Sequence, residues 1–262
     1  MGSLDSKTAL VTGGGAGIGY AIARRLAGDG AAVAVLDVSR EAASAAAARI
    51  GKDTGVRSIA VQADVSDPGQ VERAVGEIAG ALGAPDILVN NAGIINPRLV
   101  VAEALTLDEF DRMHAVHVRG AFLVSRACVP AMKAKRFGRI VNVSSVAGLV
   151  GMPRRVAYSV AKSALIGFTR TLAMETARFG VTVNAVAPGY ILTDTLRDRI
   201  RSGMLDHDLF AERTPVGRWG EPEEVAHLVA FLADPASAYV TGAIIPVDGG
   251  FSARGDPGES LE

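Results

Sequence analysis

Three side chains in the middle of the sequence have the types and the spacing that proton transfer requires. Tyr158 and Lys162 are four residues apart in the run AYSVAKSAL, and Ser145 precedes Tyr158 by thirteen residues. Residues i and i+4 share one face of a helix, so the phenol and the ammonium group would point into the same space. A nearby positive charge favours the phenolate and lowers a tyrosine pKa from its usual value of about 10. The spacing alone also fits an ordinary exposed helix, and the rest of the chain decides between the two.

A glycine-rich turn near the N-terminus is typical of a phosphate-binding site. The run TALVTGGGAGIGYAIARRLAG predicts a strand, a tight turn from Gly13 to Gly19 and a helix. Glycines there let the backbone approach a pyrophosphate, which then lies at the helix N-terminus. The next predicted strand ends at Asp37, whose carboxylate suits the two ribose hydroxyls of NAD and repels the extra phosphate of NADP. Asp37 could instead only cap the helix that follows.

These features resemble the classical short-chain dehydrogenases/reductases, and the resemblance runs from about Lys7 to Phe251. The shared landmarks stand in order: TGGGAGIG at 12–19, Asp64-Val65, NNAG at 90–93, Ser145, Tyr158, Lys162, Pro188-Gly189, Thr193 and Asp248-Gly249-Gly250. The resemblance implies one NAD-binding catalytic domain over residues 1–251, with a substrate loop at about 190–216. Residues 252–262 are polar and are expected to form a loose tail.

The resemblance also implies a role for each residue of the site. Tyr158 would give a proton to a ketone oxygen or take one from an alcohol, Lys162 would bind the nicotinamide ribose, and Ser145 would hold the substrate oxygen. The neighbouring Ser144 would be structural, because the family's serine lies about thirteen residues before its tyrosine. The residues expected to bind NAD are Gly13, Gly15, Gly17, Ile18, Gly19, Asp37, Asp64, Val65, Asn91, Ala92, Gly93, Tyr158, Lys162, Pro188, Gly189, Ile191 and Thr193. Thr193 could also be the N-cap of the following helix.

One landmark departs from the family pattern. Where the family has asparagine in an N-x-x-G setting, this chain has His117-Val118-Arg119-Gly120. By resemblance, the asparagine kinks its helix so that a backbone carbonyl holds a water connected to Lys162. The carbonyl would survive the substitution, and an imidazole can itself titrate near neutral pH. His117 is therefore a candidate catalytic residue, with simple packing in place of the asparagine as the alternative.

Alternating apolar strands and helices predict an α/β fold. We expect a single-domain, doubly wound Rossmann fold with a seven-stranded parallel sheet, order 3-2-1-4-5-6-7, covered by helices on both faces. The predicted strands are Thr8–Val11, Ala32–Asp37, Ser58–Gln62, Ile87–Asn90, Arg139–Val143, Val181–Ala187 and Ile244–Val247. The predicted helices are Gly17–Gly28, Arg40–Ile50, Pro68–Leu82, Leu107–Lys135, Ala157–Phe179, Thr195–Phe210 and Pro222–Ala233.

Composition excludes several other classes of protein. The net charge of −1 gives no reason to expect nucleic-acid binding. The apolar runs are short and interrupted, so no membrane span is expected, and no metal-binding spacing is present. The single cysteine, Cys128, is expected in the core and suits a reducing, cytoplasmic location.

In this family the long helices commonly pair across two-fold axes, so a homotetramer is expected, with a dimer as second choice.

The substrate is the least determined property. The predicted walls of the substrate pocket are residues 95–98, 146–155, Tyr190 and 194–216. Several side chains there are apolar, namely Val146, Leu149, Val150, Met152, Ile191 and Leu196. Arg98, Arg154 and Arg155 could bind an anionic substrate, but the simpler interpretation is that they face solvent. The first hypothesis is an NAD-dependent dehydrogenase of a secondary alcohol or its ketone. The alternative is a 3-oxoacyl-thioester reductase, although most such enzymes use NADPH, and Asp37 and the lack of a basic residue at Ala16 oppose that. A non-catalytic cofactor sensor is the third, opposed by the intact Ser145, Tyr158 and Lys162.

Overall fold

The computed structural model describes residues 2–96 and 98–254. Within these, seven strands form one parallel sheet in the order β3-β2-β1-β4-β5-β6-β7, which confirms the predicted doubly wound fold. The strands are β1 Thr8–Thr12, β2 Ala32–Asp37, β3 Ser58–Gln62, β4 Ile87–Asn90, β5 Gly138–Val143, β6 Val181–Pro188 and β7 Ile244–Val247. The strand order reverses between β1 and β4, and ligands of such sheets bind outside the carboxyl ends of the strands at that point.

Helices cover both faces of the sheet. They are α1 Gly17–Gly28, α2 Arg40–Thr54, α3 Pro68–Leu82, α4 Leu107–His114, α5 Gly120–Lys135, α6 Val156–Thr176, α7 Asp194–Arg201, α8 His207–Glu212 and α9 Pro222–Ala233. One apolar cluster joins the sheet to α1, α2 and α9, and a second joins it to α3 and α5. The central strands β1, β4, β5 and β6 are buried along their whole length, which explains their near-continuous apolar sequences. Cys128 lies in the second cluster, as predicted.

Two predicted helices are interrupted in the structure. The helix predicted over Leu107–Lys135 contains a π-helical turn, Ala115–Arg119, between α4 and α5. The helix predicted over Thr195–Phe210 is instead two short helices. The first ends near Gly203, which has a φ of 73° that glycine tolerates best, and Asp206 caps the second through the amides of Asp208 and Leu209.

The predicted tail lies mostly outside the described residues. Phe251–Ala253 form a short 3₁₀ turn, in which Ser252 donates its amide and its hydroxyl to Asp248. Residues 255–262 lie outside the described part of the chain, as does Pro97 of the predicted pocket wall at 95–98. Among the described helices, none is long and apolar enough to cross a lipid bilayer.

Candidate active site

The glycine-rich turn leaves the N-terminus of α1 open. Gly13 and Gly17 have φ values of 61° and 53°, and a Cβ on Gly19 would lie 2.1 Å from the Gly13 carbonyl oxygen. Ala16, at the N-cap of α1, provides no side-chain hydrogen bond to the first-turn amides. Helix N-termini with unpaired amides bind phosphate groups. The turn therefore fits the pyrophosphate of a dinucleotide.

Asp37 lies directly beside this turn. Its carboxylate accepts hydrogen bonds from the amides of Gly15, at 3.1 Å, and Ser39, at 3.0 Å. A Cβ on Gly15 would come within 2.8 Å of Asp37 Oδ2, so the close approach depends on glycine. Ser39, not Asp37, caps α2 by accepting a hydrogen bond from Ala42. Asp37 thus braces the turn and still has lone pairs that could accept ribose hydroxyls.

The other predicted binding residues approach the same edge from neighbouring strands. Asn91 donates its side-chain amide to the carbonyls of Thr12 and Gly13, both at 3.0 Å, while Thr12 Oγ1 accepts the amides of Asn91 and Ala92. These bonds hold the NNAG segment against the glycine-rich turn. Thr193 lies opposite, because a Cβ on Gly17 would be 3.3 Å from Thr193 Cγ2. Thr193 occupies the N-cap position of α7, but its side chain makes no capping hydrogen bond, so the hydroxyl does not serve as the helix cap.

Several predicted binding residues have side chains that are engaged by other residues of the protein. Asp64 is bound by Ser66 and Arg112; burial alone would raise the pKa of Asp64, but these hydrogen bonds outweigh it and the pKa falls below its ordinary value. Val65 is buried against Gly120 at the start of α5. Ile191 is buried against Gly220, and Gly189 packs on Asp248. At Val65, Ile191 and Gly189, only backbone groups remain for a cofactor.

Ser145, Tyr158 and Lys162 come together at the carboxyl end of β5, where α6 packs against β6 and the turn that follows β5. The Lys162 ammonium lies 5.5 Å from the Tyr158 ring centroid and donates a hydrogen bond of 2.8 Å to the Val143 carbonyl. Ser145 Oγ accepts the Ala147 amide at 3.1 Å and lies near enough to Tyr158 for hydrogen bonding to lower the pKa of the Tyr158 hydroxyl. Ser144 Oγ instead donates to the Lys162 carbonyl at 2.8 Å, so the structure gives Ser144 a structural bond. The three predicted catalytic side chains therefore form one cluster.

The electrostatics of this cluster differ in part from the expectation. Burial raises the pKa of Tyr158 above its ordinary value, while the hydrogen bond to Ser145 and the charge of Arg155 oppose that rise. Burial lowers the pKa of Lys162 to about 7. The expected lowering of the tyrosine pKa by Lys162 is thus not present in this structure, because the two groups share a poorly solvated site and the ammonium is itself destabilised there.

His117 lies on the π-helical turn and packs against Tyr158. The two rings meet edge to face, with centroids 5.6 Å apart, and His117 Nε2 lies 2.8 Å from the Ile94 carbonyl oxygen. Burial, with a smaller effect of the Lys162 charge, lowers the pKa of His117 to about 3. A Cβ on Gly93 would lie 2.4 Å from His117 Cε1, so the ring occupies the space above this glycine. His117 is therefore neutral near pH 7 and fixes the segment after β4.

Sequence reasoning missed a buried polar network behind the cluster. Asn90 donates its side-chain amide to Ser125 at 3.0 Å and to Asn142 at 2.8 Å, and Asn142 in turn donates to Thr169 at 2.9 Å. This chain of bonds ties β4 and β5 to α5 and α6. The sequence signal was polar residues inside otherwise apolar strands, and buried polar groups of this kind need partners.

An aromatic cluster closes the predicted substrate side. Tyr190 packs against Phe210, Trp219 and Phe251, with centroids 4.6, 5.5 and 5.3 Å away. Trp219 is buried and donates its indole N–H to the His207 carbonyl at 3.0 Å, so it anchors the loop. Val146, like Ile191, is buried rather than lining open space, whereas Leu149 is exposed. Within the described residues, no cluster of histidine, cysteine and carboxylate side chains could hold a metal ion.

The chain is similar to known proteins over almost its whole length. Residues 13–252 match the profile of a family described as enoyl-(acyl carrier protein) reductase. A 3-oxoacyl-(acyl-carrier-protein) reductase from Aquifex aeolicus is 41% identical over 250 residues, covering 94% of this chain and 98% of that protein. A second 3-oxoacyl-(acyl-carrier-protein) reductase, from Synechocystis, is also 41% identical over 252 residues, covering 95% of this chain and 98% of that protein. The crystal structure of levodione reductase superposes with a TM-score of 0.90 at 35% identity and covers 95% of this chain and 99% of that one.

Proposed function

Because the chain belongs to the short-chain dehydrogenase/reductase family, we propose that it transfers a hydride between a nicotinamide cofactor and a ketone or the matching secondary alcohol. The observation that carries this proposal is the contact of Tyr158 with Ser145 and Lys162 beside an open glycine-rich turn. When bound, the cofactor supplies or accepts the hydride, and the protein supplies position and protons.

The residues of the cluster have complementary roles in reduction. Ser145 donates a hydrogen bond to the carbonyl oxygen and holds it next to Tyr158. As negative charge develops on that oxygen, the Tyr158 hydroxyl delivers a proton to it. Lys162, whose pKa is about 7, can then return a proton towards the phenolate near neutral pH. Oxidation of the alcohol runs through the same groups in reverse.

A 3-oxoacyl thioester is the first substrate class to test. Two relatives that match nearly the full chain at 41% identity carry the name of 3-oxoacyl-(acyl-carrier-protein) reductase. They support the alternative hypothesis from the sequence better than a simple secondary alcohol. The ketone at C3 of such a thioester is the group on which the Ser145 and Tyr158 hydroxyls would act.

We propose NAD(H) as the cofactor, although most reductases of that type use NADPH. The carboxylate of Asp37 sits at the turn and braces Gly15, so a 2′-phosphate would meet a negative charge. The position of Asp37 also supports a second candidate function, an NAD-dependent dehydrogenase of secondary alcohols. The structural similarity to levodione reductase is consistent with this second function. A cytoplasmic homotetramer remains our proposal for location and assembly.

Steady-state assays would separate these alternatives. Acetoacetyl N-acetylcysteamine, cyclic ketones and simple secondary alcohols would each be tested with NADH or NADPH, or with the oxidised forms for alcohols, following absorbance at 340 nm. Tyr158→Phe serves as the control for chemistry at this site. We expect turnover of the thioester with a preference for NADH. Turnover that survives in Tyr158→Phe would contradict the proposed site, and turnover of simple alcohols alone would favour the second candidate.

A further inference from the structure

Three arginines flank the predicted pocket, and only one of them has both a suitable position and a free charge. Arg98 is held by Glu109 through two hydrogen bonds of 2.8 and 3.1 Å, which lower the pKa of Glu109 to about 2. Arg154 is exposed. Arg155 is half-buried, and its guanidinium makes no hydrogen bond or ion pair with any residue in 2–96 or 98–254. The positive charge of Arg155 is therefore not neutralised within the described chain.

Arg155 lies beside the catalytic tyrosine in the fold. It immediately precedes α6, one helical turn before Tyr158, and its carbonyl accepts the Ser159 amide at 2.8 Å. Its charge lowers the pKa of both Tyr158 and Tyr190, although burial of each hydroxyl has a larger, opposite effect. A substrate held by Tyr158 would therefore lie close to a half-buried positive charge.

A half-buried guanidinium without a partner loses hydration and gains nothing in return unless an anion binds to it. Its planar fork of N–H donors matches the oxygens of a carboxylate or a phosphate. We propose that Arg155 is a specificity-determining residue that binds an oxyanion carried by the substrate, so that the substrates are anionic ketones or hydroxy compounds. This inference rests on the proposed function and adds to it the charge of the substrate.

The test compares matched substrates that differ in charge. Acetoacetate carries a carboxylate, its methyl ester is neutral, acetoacetyl N-acetylcysteamine is a neutral thioester, and acetoacetyl coenzyme A carries phosphates. The measured quantity is the ratio of kcat/KM for an anionic substrate to that for the methyl ester. Arg155→Gln should lower this ratio about 10- to 100-fold, mainly through KM, which is the scale of a hydrogen bond to a charged group. Arg155→Lys should retain part of the preference.

Arg154→Gln is the matched control, since it removes a neighbouring charge that is exposed, and its ratio should equal that of the wild type. A loss confined to acetoacetate identifies a carboxylate as the ligand, and a loss confined to the coenzyme A thioester identifies a phosphate. An equal loss on charged and neutral substrates would mean that Arg155 acts only through Tyr158 and would overturn the proposal, as would a wild-type enzyme with no preference for anions.

Failure of the proposed function can be told apart from failure of this inference. If none of the compounds is turned over with either cofactor, the proposed reaction is wrong. Anion binding by Arg155 can then be tested by a measurement that does not depend on turnover. Ligand-observed NMR would then compare butanoate, butyl phosphate and butan-1-ol on the wild type and Arg155→Gln. Binding of one of the anions, but not the alcohol, that is lost in the variant supports the inference. No anion binding, or binding that persists in the variant, overturns it.

Discussion

Replacing His117 by asparagine should make the folded protein less sensitive to acid. Burial lowers the pKa of His117 to about 3, whereas a histidine in the unfolded chain has a pKa near 6.5. The unfolded chain therefore binds this proton first, so the stability that neutral His117 contributes is complete above pH 6.5 and is lost as the pH falls towards 3. Between pH 7 and pH 5, linkage gives a loss of about 2 kcal/mol from this residue alone.

Urea denaturation at pH 7 and pH 5, at one fixed protein concentration, measures the effect. The wild type should lose about 2 kcal/mol more than His117→Asn between the two pH values, because all other titrating groups are shared. His227→Asn, which removes an exposed imidazole, is the control and should behave as the wild type. Equal losses in the wild type and His117→Asn would refute the idea that His117 is buried and neutral.

The same reasoning and the site geometry give further expectations. His117→Asn should keep turnover within about tenfold, a barrier change of ~1.4 kcal/mol at most, and the pH–rate profile should keep its shape at pH 6–7; a much larger loss would make His117 catalytic. Tyr158→Phe should retain the fold and cofactor binding by calorimetry but lose turnover by ~10²–10⁴-fold. Asp37→Ala should narrow the preference for NAD(H), and equal use of NADP(H) by the wild type would contradict the role of Asp37. Light scattering should show a tetramer, and a monomer at working concentration would refute that assembly.

The sequence predicted the sheet well because parallel strands buried on both faces are apolar almost without interruption. Backbone conformation and residue spacing can be inferred from a sequence. They determine the strand order, the glycine-rich turn and the cluster of Ser145, Tyr158 and Lys162. The role of Ser39 as the cap of α2 was missed, since either Asp37 or Ser39 has a side chain that can accept from a helix N-terminus.

Other features depend on contacts between distant segments and could not be predicted in the same way. The π-helical turn at 115–119 contains His117, which contacts Ile94, and helical periodicity alone does not indicate this turn, although the family resemblance implied a kink there. The rise in the Tyr158 pKa depends on how much solvent reaches the phenol, which spacing does not reveal. The sequence shows three arginines near the pocket, but which of them are bound by a carboxylate depends on side-chain contacts such as that of Arg98 with Glu109.

The contact between Gly93 and His117 restricts the order in which this site can change. Any side chain at Gly93 would collide with the imidazole, since even a Cβ would be 2.4 Å from Cε1. An alanine at position 93 becomes sterically possible only after position 117 has accepted a smaller residue. Substitutions at positions 93 and 117 are therefore mutually dependent and cannot be varied independently in a mutant library. A double variant that is sterically acceptable can be reached only through the single variant at position 117.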